Sequence, residues 1–278
     1  MPGRAFDGKR IEANGLVHYV VDEGVGQAVI LLHGFPDSAD LWRNQIPVLV
    51  NAGYRVVAPD LRGFGDSEPA AAVEDYLIFN AVADARAIAA ALGIGRAHIV
   101  GHDFGAGAAW LSATVDAEFV DKLIAISVGH PSTFTRATLP QLRSSWYTFM
   151  FQFAGTAEAL LQKDNWALFR AWMDDHPDPD DVIAMMSRPG ALTAALNYYR
   201  ANTRPEVWGA DLVLPAVEVP TLGIWGEGDP FLTEEQMLDS VVAVGGPWRY
   251  ERIAAAGHWV PLRRPDELNA LLLEFLGS

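Results

Sequence analysis

The chain has 278 residues, of which 50% are hydrophobic and 20% are charged, a balance typical of a globular α/β protein with a large core. Its formal net charge of −15 repels phosphate backbones and anionic lipids, which argues against nucleic-acid and membrane partners. The absence of cysteine excludes disulfides, thiolate catalysis and thiolate zinc sites, and it favours a cytoplasmic location. The sequence has no apolar run of 18 residues, and its N-terminus lacks the apolar block of a signal peptide.

Short runs of β-branched and apolar residues predict strands over residues 16–24, 28–34, 54–60, 97–103 and 122–129. The first two runs predict an opening hairpin that leads into a buried strand. Residues 77–93 carry apolar side chains at helical spacing and end in glycine, which predicts a helix. Strands that alternate with helices indicate a mostly parallel sheet covered on both faces.

The pattern changes after residue 131, where the chain becomes aromatic-rich and helical, without any strand-like run. Strand patterns return over 221–229 and 248–259, and a last helix is predicted over 266–277. An insertion at the carboxyl ends of parallel strands would cover the place where such sheets bind ligands. The predicted division is a first core part, 1–131, an all-helical lid, 132–215, and a second core part, 216–278.

The pentad Gly101-His102-Asp103-Phe104-Gly105 follows a predicted strand and opens a predicted helix. This pattern predicts a tight strand-to-helix turn that exposes the Asp103 side chain above a helix N-terminus. A carboxylate is ionised at neutral pH and attacks carbon without the help of a base, so Asp103 is the candidate nucleophile. The alternative is that Asp103 only caps the helix. A serine esterase has no candidate nucleophile here, because no G-x-S-x-G occurs.

Asp229 and His258 each follow a later predicted strand. Asp103, Asp229 and His258 thus occur in the order nucleophile, acid, base that is typical of α/β-hydrolases. Taken singly, Asp229 could be a turn residue and His258 a surface histidine. Glu227 is a second candidate for the acid.

The sequence resembles the α/β-hydrolase superfamily over nearly its whole length, and its epoxide hydrolases in particular. LLHGFPDSADLW at 31–42 resembles their HGFP motif, VVAPDLRGFGDS at 56–67 their next strand and loop, and VGHDFGA at 100–106 their aspartate elbow. The resemblance implies the α/β-hydrolase fold, a mostly parallel sheet flanked by helices with an inserted helical lid. It also implies that the backbone N–H groups of Phe35 and Phe104 form an oxyanion hole. The Phe35–Pro36 bond would be cis, and His33 would brace the loop.

The same resemblance implies two lid tyrosines that donate hydrogen bonds to the epoxide oxygen. Asn197-Tyr198-Tyr199-Arg200 is similar to the family's Asn-Trp-Tyr-Arg motif, with Tyr199 in the catalytic position. Tyr147 is a looser match for the first tyrosine. Adjacent helical residues point about 100° apart, so only one of Tyr198 and Tyr199 is expected to face the cavity.

The expected reaction converts an epoxide to a vicinal diol through an alkyl ester on Asp103, which water hydrolyses with His258 as base and Asp229 orienting it. This mechanism needs no cofactor and no metal. The expected partners are a small apolar epoxide and water, and the sequence leaves monomer and homodimer open. The predicted pocket residues are Phe35, Phe104, Trp146, Met150, Tyr198 and Trp259, and the lid residues Phe149, Phe153, Trp172 and Met185 add apolar character.

Two alternatives stay open at this stage. Haloalkane and fluoroacetate dehalogenases share the aspartate nucleophile, but they commonly carry tryptophan, or arginines, where this chain has Phe104 and Gly107. From another class comes a non-catalytic ligand-binding protein on a hydrolase scaffold. Such proteins often lack part of the catalytic set, whereas every member has a candidate here.

Overall fold

The computed structural model describes residues 4–136 and 138–278. The strands in this part of the chain are β1 Lys9–Ala13, β2 Leu16–Gly24, β3 Ala28–Leu32, β4 Arg55–Pro59, β5 Ala97–His102, β6 Val120–Ile126, β7 Thr221–Gly226 and β8 Trp248–Ile253. They form one sheet in the order β1-β2-β4-β3-β5-β6-β7-β8. β2 is antiparallel to β1 and β4, and all other neighbours are parallel. Residues 1–3 of the predicted first core part and residue 137 of the predicted lid lie outside the described residues.

The opening hairpin differs from the prediction. β2 pairs with β1 rather than β3, and β4 lies between β2 and β3. The turn from β1 to β2 is Asn14-Gly15, whose positive φ angles of 49° and 77° suit a two-residue hairpin. The predicted hairpin was therefore wrong. β1 was missed because it is a short, largely charged strand at the exposed edge of the sheet.

Helices cover the sheet and make up the segment predicted as the lid. They are α1 Ile46–Asn51, α2 Ile78–Ala91, α3 Phe104–Val115, α4 Pro131–Phe134, α5 Leu139–Ser144, α6 Trp146–Phe151, α7 Thr156–Trp172, α8 Pro179–Met186, α9 Ala191–Asn202, α10 Glu234–Leu238, α11 Val260–Arg263 and α12 Pro265–Gly277. Short 3₁₀ helices span Ala39–Trp42, Val73–Tyr76, Pro205–Val207 and Asp239–Ala243. Residues 163–166 interrupt the helical conformation of α7. β3, β5 and β7 are buried over their full length, as strands covered on both faces are.

Helices α4 to α9 occupy the chain between β6 and β7, and the described residues of 132–215 contain no strand. The loops that follow β3, β5, β7 and β8 leave the same edge of the sheet, because these strands are parallel. The predicted site residues that belong to the core, Phe35, Asp103, Asp229 and His258, all lie on these loops. Among the residues described, no helix is both long and apolar enough to cross a membrane.

Candidate active site

The turn between β5 and α3 holds Asp103 in a strained backbone conformation, with φ 54° and ψ −121°. Two glycines make this turn possible. A Cβ on Gly101 would clash with the Gly105 carbonyl, and a Cβ on Gly105 would clash with the Leu32 carbonyl at the end of β3. The Asp103 side chain makes no capping hydrogen bond to α3. It is therefore displayed at the strand end instead of capping the helix.

The Asp103 carboxylate faces the loop after β3. Phe35 donates its backbone N–H to Asp103 Oδ1 at 2.9 Å. Burial raises the pKa of Asp103, while the charge of His258 and the hydrogen bond from the Phe35 amide oppose that shift. Of the two amides expected to form an oxyanion hole, that of Phe35 donates to this carboxylate.

His33 holds the loop that carries Phe35. Its Nδ1 donates to the Gly34 carbonyl at 2.9 Å, and its Nε2 accepts the backbone N–H of Leu61 at 2.9 Å. These two bonds brace the loop against the chain that follows β4, as predicted for His33. The Phe35–Pro36 peptide bond is cis, as predicted.

His258 lies between the two carboxylates that the sequence assigns to it. Its Nδ1 is 2.8 Å from Asp229 Oδ2, and its Nε2 is 3.8 Å from Asp103 Oδ2. Asp229 is fixed in turn, because its Oδ1 accepts the backbone N–H groups of Phe231 and Leu232 at 2.9 and 3.0 Å. Burial lowers the pKa of His258, but the attraction of Asp229 and Asp103 outweighs it and raises the pKa to about 9. The imidazole is therefore protonated in the free protein at neutral pH.

Glu227, the second candidate for the acid, lies elsewhere. Its carboxylate accepts a hydrogen bond from Arg252 at 2.6 Å and one from the backbone of Ala255 at 3.1 Å, at the protein surface. Neither of these partners is the imidazole of His258. Among the two candidates, only Asp229 occupies the orienting position.

Sequence reasoning missed a second histidine beneath the site. His102 Nε2 donates to the His258 carbonyl at 2.9 Å, and the two rings lie 4.6 Å apart. Burial lowers the pKa of His102 to about 3, so the ring stays neutral and adds no charge beside the imidazole of His258. Its place inside the elbow pentad, one residue before Asp103, was the available signal.

Tyr147 of α6 and Tyr199 of α9 meet above the elbow. Their rings are 5.7 Å apart and pack edge to face at 80°. The Tyr199 ring also packs edge-on against Phe104 at 4.9 Å. Burial raises the pKa of both phenols well above the ordinary value, and the charge of Asp103 adds to the shift. Both hydroxyls stay protonated and can act as hydrogen-bond donors.

Aromatic rings pack around the two tyrosines and the loops that carry Phe35 and His258. Phe35 contacts Tyr199 at 5.2 Å and Trp172 at 5.4 Å, and Trp172 contacts Phe231 at 4.6 Å. The rings of this cluster are Phe35, Phe104, Phe151, Phe169, Trp172 and Phe231. Of these, Phe151, Phe169 and Phe231 had not been assigned, because an aromatic residue's letter does not tell which face of a lid helix or loop it occupies.

Most of the other predicted pocket residues are exposed or bond to groups outside the proposed site. Trp146 is 51% exposed on the lid surface, where its ring meets the edge of Tyr147, so it does not enclose the site. Tyr198 is buried, but its hydroxyl donates to the Arg62 carbonyl at 3.3 Å, away from Asp103. Met150 is partly buried against the core. Trp259 points its indole N–H at Asp37 Oδ2, 3.0 Å away.

Two of the lid residues expected to line an apolar pocket lie at the surface instead. Phe153 is 65% exposed, and Phe149 is 36% exposed and stacks on Trp208. Met185, on α8, lines a separate cleft of about 220 Å³ at the surface, between α8 and residues 4–5. Helix periodicity explains the exposure of Phe149, since residues on opposite faces of α6 cannot all face one cavity, and Phe153 lies beyond the end of α6.

The elbow carboxylate, the His–Asp pair and the Phe35 amide lie together at the carboxyl ends of the parallel strands. A family profile of the alpha/beta hydrolase fold matches residues 27–265. Epoxide hydrolase A from Mycobacterium tuberculosis is 34% identical to this chain, with 96% of each covered. Epoxide hydrolase 3 from Xenopus tropicalis is 35% identical over 96% of this chain and 76% of that protein. A crystal structure of a Bacillus megaterium epoxide hydrolase with an inhibitor superposes with a TM-score of 0.88 at 30% identity, covering 97% of this chain and 100% of that one.

The chain therefore belongs to the epoxide hydrolase branch of the alpha/beta hydrolase fold family. The predicted family and fold class are confirmed. In the described residues there is no cluster of three or more His, Asp or Glu that could hold a metal ion.

Proposed function

We propose that this protein hydrolyses epoxides to vicinal diols through a covalent alkyl ester on Asp103. One observation carries the proposal: the Asp103 carboxylate lies 3.8 Å from the Nε2 of His258, and the ring of Tyr199 packs against Phe104, the residue after Asp103. Because Tyr147 packs on Tyr199, a nucleophile, a base and two proton donors would act at one place lined by aromatic rings. Its apolar lining favours a small apolar epoxide.

In the first half of the reaction, Asp103 Oδ2 attacks an epoxide carbon and the bond from that carbon to oxygen breaks. The phenols of Tyr147 and Tyr199 hydrogen-bond to the oxygen, and one of them transfers its proton to it. The product is a hydroxyalkyl ester of Asp103. Serine in this position would instead leave an ether, which water does not hydrolyse.

The proton balance follows from the charge of His258. The free enzyme carries an Asp103 carboxylate and a protonated His258, whose pKa is raised to about 9. Ester formation removes the charge of Asp103, which is one of the causes that raise this pKa. The pKa of His258 falls as a result, and the proton it releases restores the phenol. His258 becomes a neutral base only after the nucleophile has been alkylated.

In the second half, neutral His258 takes a proton from water, and the hydroxide attacks the ester carbonyl carbon. The oxyanion lies where Phe35 N–H now donates to Asp103 Oδ1, and one such donor is typically worth about 10²- to 10³-fold in rate. Collapse expels the diol and restores the carboxylate and the imidazolium. The sum is one epoxide and one water converted to one diol.

The test is His258→Gln mixed with styrene oxide and analysed by intact-mass spectrometry. We expect the variant to accumulate protein heavier by one substrate mass, because alkylation proceeds and hydrolysis does not. Glu227→Gln, a carboxylate substitution on the Asp229 loop at the surface, is the matched control and should turn over without accumulation. A turnover-competent wild type whose His258→Gln variant shows no adduct would falsify the covalent mechanism.

The same preparation separates the alternatives. Faster turnover of 1-bromobutane than of styrene oxide would identify a dehalogenase, although Phe104 offers no indole N–H to a halide. Absence of turnover with both would identify a ligand-binding protein. We further propose the cytoplasm as its location, since a chain without cysteine suits a reducing compartment.

A further inference from the structure

The chain between α7 and α8 brings a third carboxylate to His258. Asp175 Oδ2 accepts the backbone N–H of His258 at 3.2 Å. Arg263 Nη1 donates to the Asp175 carbonyl at 3.1 Å, which ties the same residue to α11. Asp175 thus links the predicted lid to the chain segment that carries the base.

The next residue strengthens this link. His176 Nε2 donates to Asp37 Oδ1 at 3.1 Å, and Asp37 Oδ2 accepts the indole N–H of Trp259 at 3.0 Å. The rings of His176 and Trp259 pack edge-on at 4.8 Å. Two consecutive lid residues therefore fix two consecutive residues of the catalytic loop, His258 and Trp259.

The approach of Asp175 depends on a glycine. Gly257 has φ 65°, and a Cβ there would clash with Asp175 Oδ2. Asp175 Oδ1 is buried and has no hydrogen-bond partner, and the carboxylate forms no salt bridge within residues 4–136 and 138–278. A buried carboxylate oxygen without a partner is costly, which calls for a role beyond packing.

We propose that Asp175 is a positioning residue: it joins the chain between α7 and α8 to the His258 backbone, and its negative charge acts on the imidazole during ester hydrolysis. The proposal rests on the proposed role of His258 as base. Asp175 acts only through His258 and touches no reacting atom.

The charged and titratable groups around His258 determine in which state of the enzyme the charge of Asp175 has its largest effect. Asp229 and Asp103 face the imidazole, Asp175 lies at its backbone, neutral His102 packs beneath it, and Arg263 lies beyond Asp175. Asp175 is among the groups whose charge raises the pKa of His258. When Asp103 is esterified, Asp229 and Asp175 are the carboxylates that remain. The effect of Asp175 should therefore be largest in the alkyl-enzyme.

The experiment compares Asp175→Asn with Asp174→Asn in single-turnover reactions with styrene oxide across pH, following the decay of the ester by quenched intact-mass spectrometry. The amide side chain would keep an oxygen acceptor for the His258 N–H but lose the charge, whereas Asp174 is exposed and adjacent. We expect the Asp175→Asn variant to shift the acid limb of ester hydrolysis to lower pH by roughly one unit, because losing a nearby negative charge lowers the pKa of His258. Its plateau rate should fall several-fold, because the base is weaker, while alkylation is unchanged.

Asp175→Glu keeps the charge and should retain the wild-type pH limb, which guards against a folding defect in the amide variant. An Asp175→Asn profile that coincides with wild type and Asp174→Asn overturns the proposal. A slower rate with an unmoved acid limb also overturns it, since that result marks a purely structural contact. If His258→Gln forms no adduct at all, the proposed function itself has failed, and the two failures are thereby distinguished.

Discussion

The parallel core and the helical lid supply different kinds of chemistry to the site. The core provides Asp103, Asp229 and His258, each at the end of a parallel strand, and backbone amides hold the two carboxylates. The lid provides neutral phenols and apolar rings carried on helices, together with one carboxylate, Asp175, which contacts the His258 backbone from the chain between α7 and α8. The groups that would take part in bond making thus lie at the ends of the strands, whereas the lid carries the phenols, the apolar rings and a residue that acts only through His258.

The largest effect should come from Asp103, the proposed nucleophile of the core. We expect Asp103→Ala to lower kcat for styrene oxide by about 10⁴-fold or more, because no other described carboxylate is displayed at the elbow. Steady-state diol formation measures this. Asp116→Ala, at the other end of α3 and ion-paired with Arg86 at the surface, is the control and should keep activity. Substantial activity in Asp103→Ala would mean that the core does not supply the nucleophile.

The next effect tests the lid's contribution. Tyr147→Phe and Tyr199→Phe should each slow alkylation by about 10²-fold, since each loses one donor to the departing oxygen, and neither should change ester hydrolysis. Stopped-flow alkylation and adduct decay separate the two steps. Tyr198→Phe removes a neighbouring hydroxyl that bonds the Arg62 carbonyl instead, so it should leave alkylation unchanged. Equal losses in all three variants would remove the distinction between donor and packing tyrosines.

The smallest effect contrasts two tryptophans of the lid. Trp172→Ala removes a ring packed between Phe35 and Phe231 and should destabilise the protein by about 3 kcal/mol while raising KM. Trp146 is 51% exposed, and Trp146→Ala should change stability by less than about 0.5 kcal/mol. Urea unfolding and steady-state kinetics measure both. A similar loss in the two variants would show that the lid has no distinct inner face.

Prediction from sequence was strongest where one residue type at one spacing performs one chemical task. Asp103 could be predicted as the nucleophile because glycines on both sides permit a tight turn, and His258 and Asp229 because they follow strands in the expected order. Asp229 was preferred to Glu227 for its position in the chain, and Tyr199 to Tyr198 from the family resemblance; the structure adds that Asp229 contacts His258, while Glu227 and Tyr198 bond elsewhere. Strand positions in the core followed from buried apolar runs, but β1 did not, because an edge strand carries no such run.

The pocket was the least predictable part. Trp146, Phe149 and Phe153 share composition with Phe151 and Trp172, yet the former are exposed and the latter belong to the aromatic cluster. A short lid helix gives too few turns for its hydrophobic pattern to reveal a face. Asp175 was missed for another reason: its contact with His258 joins residues far apart in the chain, which no local pattern records.

Gly34 has a consequence for anyone who wishes to move this chemistry to another scaffold. A side chain there would collide with Asp103, so the loop after β3 and the turn after β5 are shaped to each other across two hydrogen-bonded strands, with Leu32 paired to Gly101. The unit to transfer is consequently neither the pentad nor the HGFP motif alone, but both strands with the loops that follow them. A graft of the pentad without the loop after β3 would lack the space and the amide that hold the Asp103 carboxylate.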